Sequence, residues 1–235
     1  IAMEWLEGHS LREVIRKRRL SIDELITLAI DVADGLNAAH RAGVVHRDIK
    51  PGNIFVLTRG PAKLLDFGLA KLTEKKTTVA TNNSELEAAT AMKTAPGTLM
   101  GTINYMSPEQ AQSRAVDERT DIWSTGVMLY EMVTGAMPFG GPTIGHTLVQ
   151  IIDKEPPALP KSAGAPAELQ RIVTKALAKN VEDRYQTAKD MLIDLRSLRR
   201  QLDAPATTTD HTDRGKDKKR VLLIALLGMA IVTVV

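Results

Sequence analysis

The stretch HRDIKPGNIFVLTRGPAKLLDFG, His46 to Gly68, constrains the fold more than any other part of the chain. Its apolar runs NIFVL and AKLLD flank TRGP, so they read as two short strands joined by a turn. Polar residues bracket this hairpin: Asp48, Lys50 and Asn53 before it, Asp66 at the end of its second strand. A hairpin returns the chain to the place it left, which sets the two flanking loops side by side. Asp48, Asn53 and Asp66 are therefore expected to converge at one edge of the sheet, with Lys50 as the accompanying cation.

The rest of the chain predicts helices around that edge. SLRE at Ser10–Glu13 and SIDE at Ser21–Glu24 each fit a capping box, in which the serine oxygen and the glutamate carboxylate satisfy amides at a helix start. The second leads into a helical stripe, Ile22, Leu25, Ile26, Ala29, Val32, Ala33 and Leu36, that stops before Gly43. From Gly68 to Ser107 no period is sustained, which predicts a long loop. Helical patterns return at Asp121–Val133, Gly145–Asp153, Ala167–Lys179 and Thr187–Leu202, separated by proline-rich spacers. The expected fold is mainly α with a small β-hairpin at its active edge.

Charge and cysteine content narrow the function classes. The 31 Lys and Arg against 28 Asp and Glu include five basic and three acidic residues between Asp210 and Arg220. The remainder is nearly neutral and lacks the concentrated basic patch that nucleic-acid binding requires, so no nucleic-acid partner is expected. With no cysteine there is neither a disulfide framework nor a thiolate metal site. The chain opens inside the apolar IAMEW without an initiator Met or a signal peptide's charged start, and so reads as a fragment.

Phosphoryl transfer from ATP needs a carboxylate to orient or deprotonate a hydroxyl, hard oxygen ligands for Mg²⁺, and a cation to offset charge on the moving group. The converging residues supply all three. HRDIKPGN, DFG, GTINYMSPE and DIWSTGVMLYEMVTG, in this order, resemble the C-terminal lobe of a bacterial Ser/Thr protein kinase. The resemblance covers nearly all of residues 1–202. It implies Asp48 as catalytic base, Lys50 as partner of the transferred phosphoryl group, and Thr102 bridging Asp48 and Lys50. Asn53 and Asp66 would ligate Mg²⁺, with Gly68 allowing the turn after Asp66. Met3 would be the gatekeeper, the backbone of Glu4 to Leu6 would bond adenine, and Phe55 would close the floor under the ring. His46 reads as a residue packed against Phe67 rather than a base. Glu109, Asp121 and Arg184 are implied as structural, Glu109 paired with Arg184 and Asp121 holding the catalytic loop. Arg47 before Asp48 implies activation by a phosphorylated loop, with Thr94 and Thr98 as candidate sites.

The partners so implied are ATP, protein substrates bearing Ser or Thr, and a second copy of the chain for autophosphorylation of that loop. A glycine-rich phosphate loop and a Val-Ala-Ile-Lys segment are absent from the sequence, so half of the nucleotide site is expected elsewhere. The alternative is a non-catalytic, membrane-tethered interaction module. Residues 203–220 read as a polar and basic linker. The uncharged VLLIALLGMAIVTVV at 221–235 reads as the start of a single transmembrane helix, because fifteen helical residues reach only ~22 Å of the ~30 Å bilayer core. The Lys and Arg flank would keep the kinase domain cytoplasmic at the cell membrane.

Overall fold

The computed structural model describes residues 5–67 and 102–204. The chain divides into two units after Gln201, and the architecture here is that of the first. In chain order the elements are strand β1 (Gly8–Ser10), helices α1 (Leu11–Lys17) and α2 (Ile22–Arg41), and strands β2 (Ile54–Leu57) and β3 (Lys63–Leu64). Helices α3 (Pro108–Ala111), α4 (Arg119–Thr134), α5 (Ile144–Asp153), α6 (Ala167–Ala176) and α7 (Ala188–Asp203) follow.

Both expected capping boxes form. Ser10 accepts from the Glu13 amide and Ser21 from that of Glu24, while each glutamate reaches back to its serine. Every residue of the expected stripe on α2 is buried except Ile22, which packs against the core's rim. A third box, Ser107 with Gln110, starts α3 where the segment expected to be loop ends.

Helix α4 is the centre of the fold. Residues Thr120 to Tyr130 on it are all buried, as are Met132 and Val133, and a helix buried all round has to be surrounded by other elements. It packs against α2 and α6. Its buried hydroxyls are satisfied locally, Thr125 donating to Asp121 O at 2.7 Å and Ser124 to Tyr105 O at 2.8 Å.

The hairpin lies on α2, where Asp31 accepts from the Ala62 amide at 2.8 Å. Gly35 provides the clearance, since a Cβ there would come within 2.9 Å of Leu64 Cδ1. The sheet has three strands rather than two. β1 pairs antiparallel with β2, Ser10 opposite Phe55, and β2 with β3, Ile54 opposite Leu64. Gly-His-Ser carries no alternating apolar signal, so this pairing is specified by the neighbouring strand.

The second hairpin strand is shorter than AKLLD because Asp66 takes a left-handed backbone, φ 59°, that turns the chain away. Helix α6 ends at Ala176, three residues early. Past its end, Lys179 places its ammonium 3.9 Å from the Phe139 ring centre and donates to Ile151 O, at the end of α5, at 2.7 Å. No described helix is long and apolar enough to cross a membrane. Residues 205–235, including the apolar run from Val221, lie outside the described residues.

The α4–α6 contact gives a direct test of packing. A Cβ on Gly126 would lie 2.9 Å from Ala176 Cβ and 3.1 Å from Leu177 Cγ. The Gly126→Ala variant gains about 1 kcal/mol of helix propensity and loses about 1–3 kcal/mol to overpacking. We expect a net loss of up to about 2 kcal/mol in urea denaturation. Gly145→Ala, whose Cβ would meet only Thr143 Oγ1 at 3.9 Å, is expected to be neutral or stabilising.

Candidate active site

The segment before β2 is held by Asp121, which is fully buried on α4. Its carboxylate accepts from the His46 amide at 2.8 Å, the Arg47 amide at 2.7 Å and His40 Nε2 at 2.7 Å. Arg47 adopts φ 68°, a conformation rare for a side chain of this size and retained only where the surroundings impose it. Its carbonyl is fixed as well, accepting from Gln110 Nε2 of α3 at 3.0 Å. Asp48, the next residue, is thereby aimed by bonds to both backbone polar groups of the residue before it.

Around Asp48 the side chains of Lys50 and Asn53 converge. Lys50 Nζ donates to Asp48 Oδ2 at 2.7 Å, and Asn53 Nδ2 donates to the same oxygen at 3.0 Å and to Asp48 O at 2.8 Å. Asn53 is buried while the Asp48 side chain is 42% exposed, so the carboxylate faces outward from a fixed base. With the Asn53 amide nitrogen committed to Asp48, its Oδ1 has no protein partner among the described residues. Thr102 Oγ1 lies 3.5 Å from Lys50 Nζ, at the limit of hydrogen bonding. It meets Lys50 but not Asp48, so the expected bridge is half formed.

The second loop arrives through the ladder. The Leu65 amide donates to Asn53 O at 2.8 Å, which sets Asp66 one residue beyond Asn53's strand partner. His46 donates from Nε2 to Leu65 O at 2.8 Å, accepts from the Asp48 amide at 3.4 Å on Nδ1, and packs on Phe67 at 4.9 Å between ring centres. An imidazole with both nitrogens so committed joins the two loops. Phe55 is half-buried on β2 between Ser10 and Lys63, and Leu6 is half-buried just before β1. Met3, Glu4, Gly68, Thr94 and Thr98 lie outside the described residues.

Glu109 and Arg184 form a buried, two-pronged ion pair, both contacts 2.8 Å, with Arg184 1% exposed. The remaining donors and acceptors are matched: Thr120 donates to Glu109 at 2.7 Å and Arg184 Nε to Ala178 O at 2.7 Å. Burial pushes the Glu109 carboxyl up, but the bonds from Arg184 and Thr120 outweigh it and hold the group down at about 2.

Residues 1–194 match the family model described as the protein kinase domain. The chain belongs to the protein kinase family. It is similar to a probable serine/threonine-protein kinase of Clostridium perfringens, 37% identical over 202 residues that cover 85% of this chain and 27% of that protein. The serine/threonine-protein kinase PknB of Mycobacterium leprae is 36% identical over 197 residues, 83% of this chain and 29% of the relative. A probable serine/threonine-protein kinase of Corynebacterium efficiens is 33% identical over 229 residues, 95% of this chain and 33% of the relative. The chain thus spans between about a quarter and a third of the length of these relatives.

Two contacts of this kinase domain escape a reading of the sequence. His40, at the end of α2, bonds Asp121 from 81 residues away. Tyr105 donates to Glu131 of α4 at 2.5 Å. Neither pair sits in a motif of ionisable residues at short spacing. A histidine in an otherwise small and apolar AAH, shortly before HRD, was the one available signal.

The ion pair makes two linked predictions. Arg184→Met or Glu109→Gln leaves one charge or its partner group buried and unpaired, and is expected to cost about 3–5 kcal/mol at neutral pH by urea denaturation. Because the folded carboxyl sits at about 2 against 4.5 for the free group, its contribution is complete above the unfolded value. It is lost as pH falls through the folded one. The gap between wild type and Glu109→Gln should therefore narrow below about pH 4; a constant gap down to pH 2 would contradict the assignment.

Proposed function

We propose that this chain carries the catalytic loop of a Ser/Thr protein kinase that transfers the γ-phosphoryl group of ATP to protein Ser or Thr hydroxyls. The carrying observation is the Asp48 carboxylate, held by Lys50 at 2.7 Å and Asn53 at 3.0 Å and still open to solvent. A carboxylate so placed accepts the hydroxyl's proton as its oxygen bonds to phosphorus. Lys50 offsets negative charge beside it.

The donors present suit Mg²⁺, which favours oxygen ligands and is bound by one or two carboxylates together with substrate phosphates. Asn53 Oδ1 and the Asp66 carboxylate are the protein's share. No cluster of three or more His, Cys, Asp or Glu that would hold a metal unaided occurs among the described residues. When bound, Mg·ATP supplies the transferable phosphoryl group and neutralises its charge. Lys50, two residues after Asp48, supports Ser or Thr as acceptor, as do the relatives named above. The sequence holds no glycine-rich phosphate loop, so transfer belongs to a polypeptide with a complete kinase domain.

In such a polypeptide Asp48→Asn is expected to lower transfer to a protein Ser or Thr by about 10²–10⁴-fold, read by incorporation of labelled phosphate. Wild-type rates would remove Asp48 from the mechanism. The 235 residues alone are expected to show no measurable Mg·ATP turnover.

We also propose a membrane anchor in the apolar run from Val221, with the kinase domain on the cytoplasmic side, supported by the basic flank at Lys218, Lys219 and Arg220. Expressed in the longer protein, the chain should sediment with membranes and be released by detergent but not by high salt. Recovery in the soluble fraction with this segment intact and extended would refute the anchor.

A further inference from the structure

Next to the candidate site lies a cavity of about 530 Å³ whose charge is one-sided: Arg12, Arg16, Arg18 and Arg19 line it, with Glu131 as its one acid and Tyr105 in its wall. Arg18 is taken up by Glu24, at 2.7 and 2.9 Å. Glu131 is also occupied, by the Tyr105 hydroxyl, and burial raises its carboxyl above the usual range. Arg16 and Arg19 have no acidic partner among the described residues, and Arg12 and Arg16 stand one turn apart on α1. Like charges at that spacing destabilise a helix unless a counter-charge serves both.

Two contacts tie this cavity to the reacting carboxylate. The Arg12 guanidinium covers Gly52 of the catalytic loop, its Cζ 3.7 Å from where a Cβ would stand. Tyr105 also lines the small cavity formed by Arg47, Asp48 and Thr102. The arginine-lined cavity and the one at Asp48 thus share Tyr105 as a wall.

Resting on the kinase reading, we infer that this cavity selects substrates, receiving an anionic side chain, carboxylate or phosphate, close in sequence to the phosphorylated Ser or Thr. Arg12, Arg16 and Arg19 are the specificity-determining residues, and bidentate guanidinium contacts suit either anion.

The test is fluorescence anisotropy of labelled Thr octapeptides on the 235-residue chain, so that binding is read without transfer. The Thr is flanked on both sides by Glu, by phosphoserine or by Gln. The Glu or phosphoserine peptide is expected to bind about tenfold more tightly than the Gln peptide, the effect of roughly one well-placed ion pair. Whichever anion binds better identifies the source. Reversing Arg16→Glu with Arg19→Glu should abolish the preference, and Arg16→Gln with Arg19→Gln serves if the reversal unfolds the chain by circular dichroism. Arg200→Glu on α7, outside the lining, should leave it intact. Equal binding of Glu, phosphoserine and Gln peptides would overturn the inference. So would a preference that survives changes at Arg16 and Arg19 or is lost equally with Arg200→Glu. A charge preference without transfer in the complete kinase domain would instead count against the kinase reading and leave the cavity's selectivity standing.

Discussion

One buried carboxylate organises this structure. Asp121 is fully enclosed, and a charge taken out of water costs several kcal/mol unless it is hydrogen-bonded on all sides. Three donors meet that demand: the amides of His46 and Arg47 and the ring of His40. The requirement works in both directions. The carboxylate cannot be buried without the loop, and the loop cannot keep Arg47 at φ 68° without the carboxylate. Because α4 is fixed by α2 and α6, the loop inherits the rigidity of the core while Asp48 remains at the surface.

The same helix links that anchor to the second buried charge. Trp123, two residues after Asp121, stacks on Phe139 at 5.5 Å between ring centres and lies under the Arg184 guanidinium at 5.0 Å. Arg184 holds Glu109, and the next residue, Gln110, holds the Arg47 carbonyl. The loop before Asp48 is therefore gripped through the Arg47 amide by α4 and through the Arg47 carbonyl by α3. The grip on α3 depends on an ion pair formed with a residue 75 positions away. Rupture of that pair would reach the candidate site by loosening α3, a route of packed contacts and hydrogen bonds rather than a change in overall field.

The arginine-lined cavity sits on the same frame. Its wall residue Tyr105 is fixed by Glu131 of α4 and by its carbonyl, which accepts from Ser124. The candidate site and the basic surface beside it are thus referenced to one helix, which keeps their spacing constant.

By itself the sequence determined the elements whose causes are local. The capping boxes at Ser10 and Ser21, the stripe of α2, the hairpin and the meeting of Lys50 and Asn53 at Asp48 follow from side chains within one helical turn or one hairpin of each other. The resemblance to a kinase C-terminal lobe added the pairing of Glu109 with Arg184. Tertiary structure decided what depends on groups distant in sequence. Strand β1 exists because β2 offers it an edge, and α6 stops at Ala176, after which Lys179 bonds the end of α5. His40 serves the loop because α2 brings it to Asp121, and Thr102 reaches Lys50 without reaching Asp48. Arg12, Arg16 and Arg19 are ordinary surface arginines in the sequence. They become one cationic site only because α1 packs beside Gly52 and α4, and electrostatic selectivity depends on distances that periodicity and spacing do not encode.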